Sequence, residues 1–271
     1  MSDALLHKDW IVPAWPAPAQ VRALITTRAG GVSAGPYASF NLGSSTADDP
    51  SAVRANRERL RGVLPGEPRW LKQVHGARVI EADARMNERP EADLTINERP
   101  EADVRVDERP EADAALAREP GTVCAILVAD CLPVLLTDRA GTMVAAAHAG
   151  WRGLAAGVID NTVSAMTRRG TRAEDLIAYI GPGIGPRAFE VGDDVYDAYV
   201  SENAAAAGAF TRTAHDKWLA NLFLLARRAL ERAGVTSVYG EDLCTYSDPR
   251  RFFSYRRDKV TGRMGAFIWR L

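Results

Sequence analysis

The strongest constraint in this chain is a block between residues 123 and 147. Residues 123–129 form a continuous apolar run that includes Val123, Ile126 and Val128, the signature of a fully buried strand. Residues 132–136 and 143–147 read as two more buried strands, separated by the turn Asp138-Arg-Ala-Gly141. Around this block, strand and helix signals alternate. Strands are expected at 22–27, 176–180, 253–255 and 265–269. A helix should open at Asp49-Pro50, with Asp as N-cap and Pro in the first helical position, burying Val53 and Leu60. Further helices are expected over 154–167, 193–199 and 218–233. No low-complexity linker divides the chain, so the pattern points to one α/β domain with mixed sheets over residues 1–271.

Composition removes several function classes. The 271 residues carry 34 Lys+Arg against 35 Asp+Glu, a net charge of −1, so no basic excess exists to drive nucleic-acid binding. No run of 18 apolar residues is present, which predicts no membrane span. The first ten residues carry acids and lack a long apolar core, unlike a secretory signal. Cys124, Cys131 and Cys244 are odd in number and form no close pair. That argues against a disulfide framework and for a reducing cytoplasm.

One segment stands apart. Asn87-Glu-Arg-Pro-Glu-Ala-Asp93 recurs at 97–103 and, with Asp in place of the first Asn, at 107–113. Three copies with little apolar content cannot build a solenoid. A local tandem duplication lengthening one surface loop, at about 87–113, is the expected reading. A partner-binding arm is the alternative, with its protein partner unknown.

The chain has four histidines: His7, His75, His148 and His215. Cys131, in Ala129-Asp-Cys-Leu-Pro133, follows one predicted strand, and His148, in Ala147-His-Ala-Gly-Trp-Arg-Gly153, ends another. If those strands are neighbours, the two side chains converge. With His75, from Gln73-Val-His-Gly76, they make an acceptable catalytic zinc set with an open fourth position. A buried core cysteine with two satisfied histidines is the other reading of the same residues. Asp130, an acid closing an apolar strand, reads either as a partner for the site or as a turn cap. Clusters at 252–258 and 261–264, together with Arg28 and the 39–43 segment, concentrate groups suited to phosphate or carboxylate. Gly181-Pro-Gly-Ile-Gly-Pro186 lacks the Walker Lys-Ser/Thr and reads as a rigid turn.

Taken together, Leu71-Lys-Gln-Val-His-Gly76, Ala129-Asp-Cys-Leu-Pro133, Ala147-His-Ala-Gly-Trp-Arg-Gly153, Ile180-Gly-Pro, Phe189-Glu-Val-Gly192, Phe253-Ser-Tyr-Arg-Arg257 and Thr261-Gly-Arg263 resemble the YfiH family. That family is also called the laccase-domain, polyphenol-oxidase or peptidoglycan-editing-factor family. The resemblance runs from about Thr26 to Trp269. It implies a layered αββα sandwich and a metal site of His75, Cys131 and His148, holding zinc or, alternatively, copper. It also implies purine nucleoside phosphorylase activity, with adenosine deaminase and methylthioadenosine phosphorylase activities on the same site. Purine nucleosides and phosphate are then the expected partners. His75, Cys131, His148 and Asp130 are the expected catalytic residues, with Asp130 as the candidate for proton transfer. Arg28, Asn41, Arg152, Arg256 and Arg257 are expected to hold substrate. Two departures stand out: Arg187-Ala188 replaces the cysteines that many members carry after the Gly-Pro motif, and the extra decapeptide copies lie between His75 and Cys131.

Two other chemistries remain for such residues. Cys131 could attack a peptidoglycan precursor with His75 or His148 as base. A single copper could occupy the same ligands for phenol oxidation. A multicopper site needs many histidines in His-x-His pairs, and this chain has four histidines and no such pair.

Overall fold

Continuous apolar strands decide the architecture of the computed structural model, which describes residues 6–83, 109–214 and 216–271. In chain order the elements are β1 (Val21–Ile25), α1 (Pro50–Arg61), β2 (Pro68–Arg69), β3 (Val79–Glu81), β4 (Ala114–Ala117), β5 (Val123–Val128), β6 (Leu132–Asp138) and β7 (Val144–Ala149). Then come α2 (Trp151–Ala155), α3 (Val158–Thr167), β8 (Leu176–Ile180), β9 (Glu190–Val191), α4 (Asp193–Val200), β10 (Phe210–Arg212), β11 (Trp218–Ala220), α5 (Leu222–Arg232), β12 (Ser237–Tyr239), α6 (Tyr255–Asp258) and β13 (Met264–Arg270). One mixed sheet has the order β1-β13-β5-β2, and a larger one has β12-β8-β6-β7-β4-β3.

Alternate residues of each central strand enter different cores. Cys124, Ile126, Leu135, Ala146 and Ile268 pack between the two sheets. Val123, Ala125, Phe267 and Trp269 point the other way, onto Leu60 of α1. Leu132, Val134 and Leu136 face α3 and α5, against Val158, Ile159, Phe223 and Leu230. The layers are therefore helix, sheet, sheet, helix. Both faces of both sheets are covered, which is why the strands read as apolar runs rather than as alternating ones.

Several local expectations need correction. The helix expected over 154–167 is two helices, because Gly157 adopts φ +84 between α2 and α3. Residues 218–220 are strand β11, which pairs with β9 and β10; Trp218 stacks on Tyr196 at 3.9 Å between centroids. α5 starts only after Asn221, whose side chain accepts a hydrogen bond from the Leu224 amide at 3.0 Å. No strand forms at 253–255: Ser254 accepts from the Arg257 amide at 3.2 Å and caps α6.

Most of the decapeptide segment, residues 84–108, lies outside the described residues, as does His215. The end of the third copy is described, and it belongs to the framework. Lys72 donates to the Pro110 carbonyl and accepts from the Ala112 amide. Ala112 and Asp113 are fully buried, and β4 begins at the next residue.

Candidate functional site

The antiparallel register of β6 and β7 pairs Leu132 with Ala149 and Pro133 with His148. The residue before β6 therefore meets the end of β7, which brings Cys131 beside His148. Asp130, just upstream, takes φ +101, and His75 takes φ +61. Such conformations are uncommon for residues with a Cβ and persist where the surroundings impose them. Gly150 clears the space beside Cys131 and His75. A Cβ there would lie 2.7 Å from Cys131 Sγ and 3.4 Å from the His75 ring.

The His75 loop is tied down from two sides. Gln73 exchanges two hydrogen bonds with the Leu127 backbone, at 2.8 and 2.9 Å, and so docks the loop on β5. On the other side, the Asp113 carboxylate accepts from the amides of Val74, His75 and Gly76 at 3.2, 2.9 and 2.7 Å. The same carboxylate lies 2.8 Å from His148 Nδ1. One buried acid thus positions both histidines, leaving Nε2 of His148 as its remaining ring nitrogen. Ligand atoms of His75, Cys131 and His148 fall within 4.8 Å of one another.

Electrostatics follow from this packing. Burial works to raise the Cys131 thiol, but His148 and His75 outweigh it and bring it down to about 6. Burial works to lower His148, but Cys131 and Asp113 outweigh it and raise the imidazole to about 9. Burial also pushes Asp113 upward; the bonds from His148 and the loop amides more than offset it and hold the carboxyl below its ordinary value. Cys124, buried between the sheets, is driven the other way, far above the usual thiol range.

The three residues line a cleft of about 650 Å³. Trp151, Phe189 and Tyr255 give it aromatic walls, and Lys72, Arg109, Arg152, Arg256 and Arg263 give it cations. The 43–46 loop and Asp130 also line it. Asp130 accepts from the Thr245 hydroxyl and from the Arg256 amide, both at 2.6 Å.

Of the residues expected to hold substrate, Arg152 and Arg256 line the cleft, stacked over Trp151 at 4.4 Å and Phe189 at 5.2 Å. Arg28, Asn41 and Arg257 are not among the lining residues. Arg28 donates to the Ala38 and Pro249 carbonyls, both at 2.8 Å. Arg257 donates to the carbonyls of Thr245, Tyr246 and Phe252 and pairs with Asp258. Asn41 is fully buried, and its side chain holds the 43–46 loop and the Arg263 amide. Their cationic and polar groups act on the framework.

Sequence reasoning missed Asp113, which was absorbed into the repeat. Its signal was the one that marked Asp130: an acid at the edge of an apolar strand. Thr245, Arg109 and a separate role for Arg263 were missed as well.

The donor set fits a metal on its own chemistry. Two imidazoles and a thiolate are borderline-soft ligands, one ring is oriented by a carboxylate, and His75 is exposed toward the cleft. Among the described residues no helix is long and apolar enough to cross a membrane.

Comparison with known proteins gives a consistent picture. Residues 22–271 match the family model described as multi-copper polyphenol oxidoreductase laccase. The chain is 49% identical over 263 residues to the protein of Escherichia coli K12 named purine nucleoside phosphorylase YfiH, covering 96% of this chain and 98% of that one. It is 48% identical over 261 residues to the Pseudomonas aeruginosa purine nucleoside phosphorylase PA4543, at the same coverage of 96% and 98%. The crystal structure of Neisseria meningitidis NMB0706 superposes with a TM-score of 0.84 at 45% identity, covering 97% of this chain and 99% of that one.

Proposed function

The chain belongs to the multi-copper polyphenol oxidoreductase laccase family, which includes the YfiH proteins, and on that premise we propose that it is a purine nucleoside phosphorylase. The observation that carries this reading is the His75–Cys131–His148 group set in the wall of a cleft of about 650 Å³. That volume suits a nucleoside, the aromatic walls suit a purine, and the cations suit phosphate. In the reaction an oxygen of inorganic phosphate bonds to C1′ of the sugar as the C1′–N9 bond breaks. The electron pair leaves on the purine, which takes up a proton, giving ribose 1-phosphate and free base.

His75, Cys131 and His148 would hold the metal, and we assign zinc as the native ion and copper as its competitor. When bound, zinc supplies Lewis-acid polarisation and lowers the pKa of coordinated water. Asp113 orients His148 and fixes the His75 loop. Asp130, with an acceptor site left on each oxygen, is assigned the proton transfer. Arg152 and Arg256 are assigned to substrate. Adenosine deamination belongs to the same site under this reading. Its residues cannot follow the familiar zinc-deaminase pattern, since Pro-Cys-x-x-Cys is missing from the sequence. The three unpaired cysteines support action in a reducing cytoplasm.

The test is chromatography of inosine and adenosine incubated with purified protein, with and without phosphate. Phosphate-dependent release of hypoxanthine from inosine is expected. Release of hypoxanthine from inosine that ignores phosphate would sink the phosphorylase reading, whereas conversion of adenosine to inosine needs none. A second reading, hydrolysis of a peptidoglycan precursor by Cys131 with His148 as base, is favoured by the contact between those two side chains. It requires metal-free activity and a covalent adduct on Cys131. The laccase in the family's description has no counterpart in ligand number, because the whole chain has four histidines.

A further inference from the structure

Five cations line the cleft, and the protein engages each of them differently. Lys72 pairs with Glu111 at 3.3 Å, and Arg109 donates to Ser45 Oγ at 3.0 Å. Arg152 stacks on Trp151, and Arg256 stacks on Phe189 while donating to the Glu190 carbonyl. Arg263 differs. Its Nη1 donates to the Thr261 and Gly262 carbonyls at 3.1 and 3.0 Å. Its Nε and Nη2 have no hydrogen-bond partner and its guanidinium no ion pair among the described residues. Burial nevertheless pulls its pKa below the ordinary arginine value, against the opposing fields of Cys131 and Asp130. A guanidinium stays charged in proteins, so this is a positive charge partly withdrawn from water in the wall of the cleft.

The surroundings hold that charge in place. Asn41 Oδ1 accepts from both the Gly43 amide and the Arg263 amide, at 2.9 and 2.8 Å. A Cβ on Gly43 would lie 2.8 Å from Arg263 Cγ, so the 43–46 loop packs directly on the arginine stem. Ser45 in turn meets Arg109. Arg263, the 43–46 loop and Arg109 therefore form one connected wall, with Arg263 within the electrostatic reach of Cys131.

We infer that Arg263 is the principal phosphate anchor of the cleft, with the 43–46 loop and Arg109 completing a subsite for a phosphate oxyanion. This inference rests on the phosphorylase reading for its source, inorganic phosphate, because the nucleoside brings no charge of its own. The two free guanidinium nitrogens offer the parallel donors that bind two oxygens of one phosphate.

The experiment measures binding of inorganic phosphate to the zinc-loaded protein by calorimetry, then KM for phosphate and for inosine separately. Arg263→Gln is expected to weaken phosphate binding and raise its KM by roughly 10- to 100-fold, with the inosine KM within about threefold. Arg263→Lys should recover part of that loss. Gly43→Ala, which leaves the arginine present but displaces it, should weaken phosphate in the same direction and guards against a folding artefact. Unchanged phosphate binding in Arg263→Gln, or a parallel rise in both KM values, overturns the assignment. Arg263-dependent phosphate binding without any turnover of nucleosides keeps the subsite and removes the phosphorylase reading. Normal phosphorolysis with an unaltered phosphate KM in Arg263→Gln does the reverse. Adenosine 5′-monophosphate is the second probe: if it binds through Arg263 and inorganic phosphate does not, the reactant assignment is overturned.

Discussion

At the residue scale one buried acid ties the site together. Asp113 makes four hydrogen bonds, three to consecutive amides of the His75 loop and one to His148. Asp113→Asn should therefore lower zinc affinity by roughly 10- to 100-fold, the usual effect of removing such a carboxylate. A competition titration with a chromophoric chelator measures it; affinity equal to wild type would mean the histidines hold their places unaided. His148→Ala and Cys131→Ala should lose bound metal and activity together, and activity in a metal-free Cys131→Ala protein would contradict the ligand assignment. The cysteines also separate cleanly. With metal removed by a chelator, iodoacetamide should label Cys131, which burial disfavours but two imidazoles activate. Cys124, fully buried and pushed upward, should stay unlabelled until the protein unfolds. Peptide mass mapping reads both. His75, Cys131 and His148 were legible because so few soft ligands exist in the chain and two lay at strand ends. Asp113 was not, because its partners are backbone amides, and amides carry no mark in a sequence.

At the scale of elements, buried strands were legible and short irregular pieces were not. The run ending in Ile126 and Val128 is apolar on both faces because sheets and helices cover both, and that leaves a compositional trace. β11 left no such trace. Trp218-Leu-Ala220 continues the apolar pattern of α5, and only Asn221 marks the break between them. Residues 253–255 read as a strand, although Ser254 is a capping residue and α6 follows it. Capping predicts a measurable effect. Asn221→Ala should destabilise the protein by about 1 kcal/mol, as loss of an N-cap does. Leu222, Phe223, Ala226 and Leu230 of α5 pack on the larger sheet, so urea denaturation should report it. No change in midpoint would mean that this packing, rather than the cap, sets where the helix starts.

For the whole molecule, the αββα layering matters because it brings distant segments to one place. His75 follows β2 on the smaller sheet, Cys131 and His148 belong to the larger one, and Asp113 joins them from the segment before β4. The pairing of sheets was legible only as a family resemblance, since no residue pattern says which sheet faces which. The tandem decapeptides give a whole-molecule test. Deleting residues 87–106 removes two units but keeps Arg109, Glu111 and Asp113, the copy whose end enters the framework. Metal content and turnover should persist in that variant, whereas a deletion extended through 113 should lose both. Loss of metal in the shorter deletion would give the earlier copies a role in the site. The measurement that joins metal, phosphate and fold is phosphorus NMR of inosine and phosphate, followed as bound zinc is removed stepwise and then restored. Ribose 1-phosphate should form in proportion to bound zinc and return on reloading. Ribose 1-phosphate made at full rate by the metal-free protein, or none made by the fully loaded one, would contradict the assignment of this site.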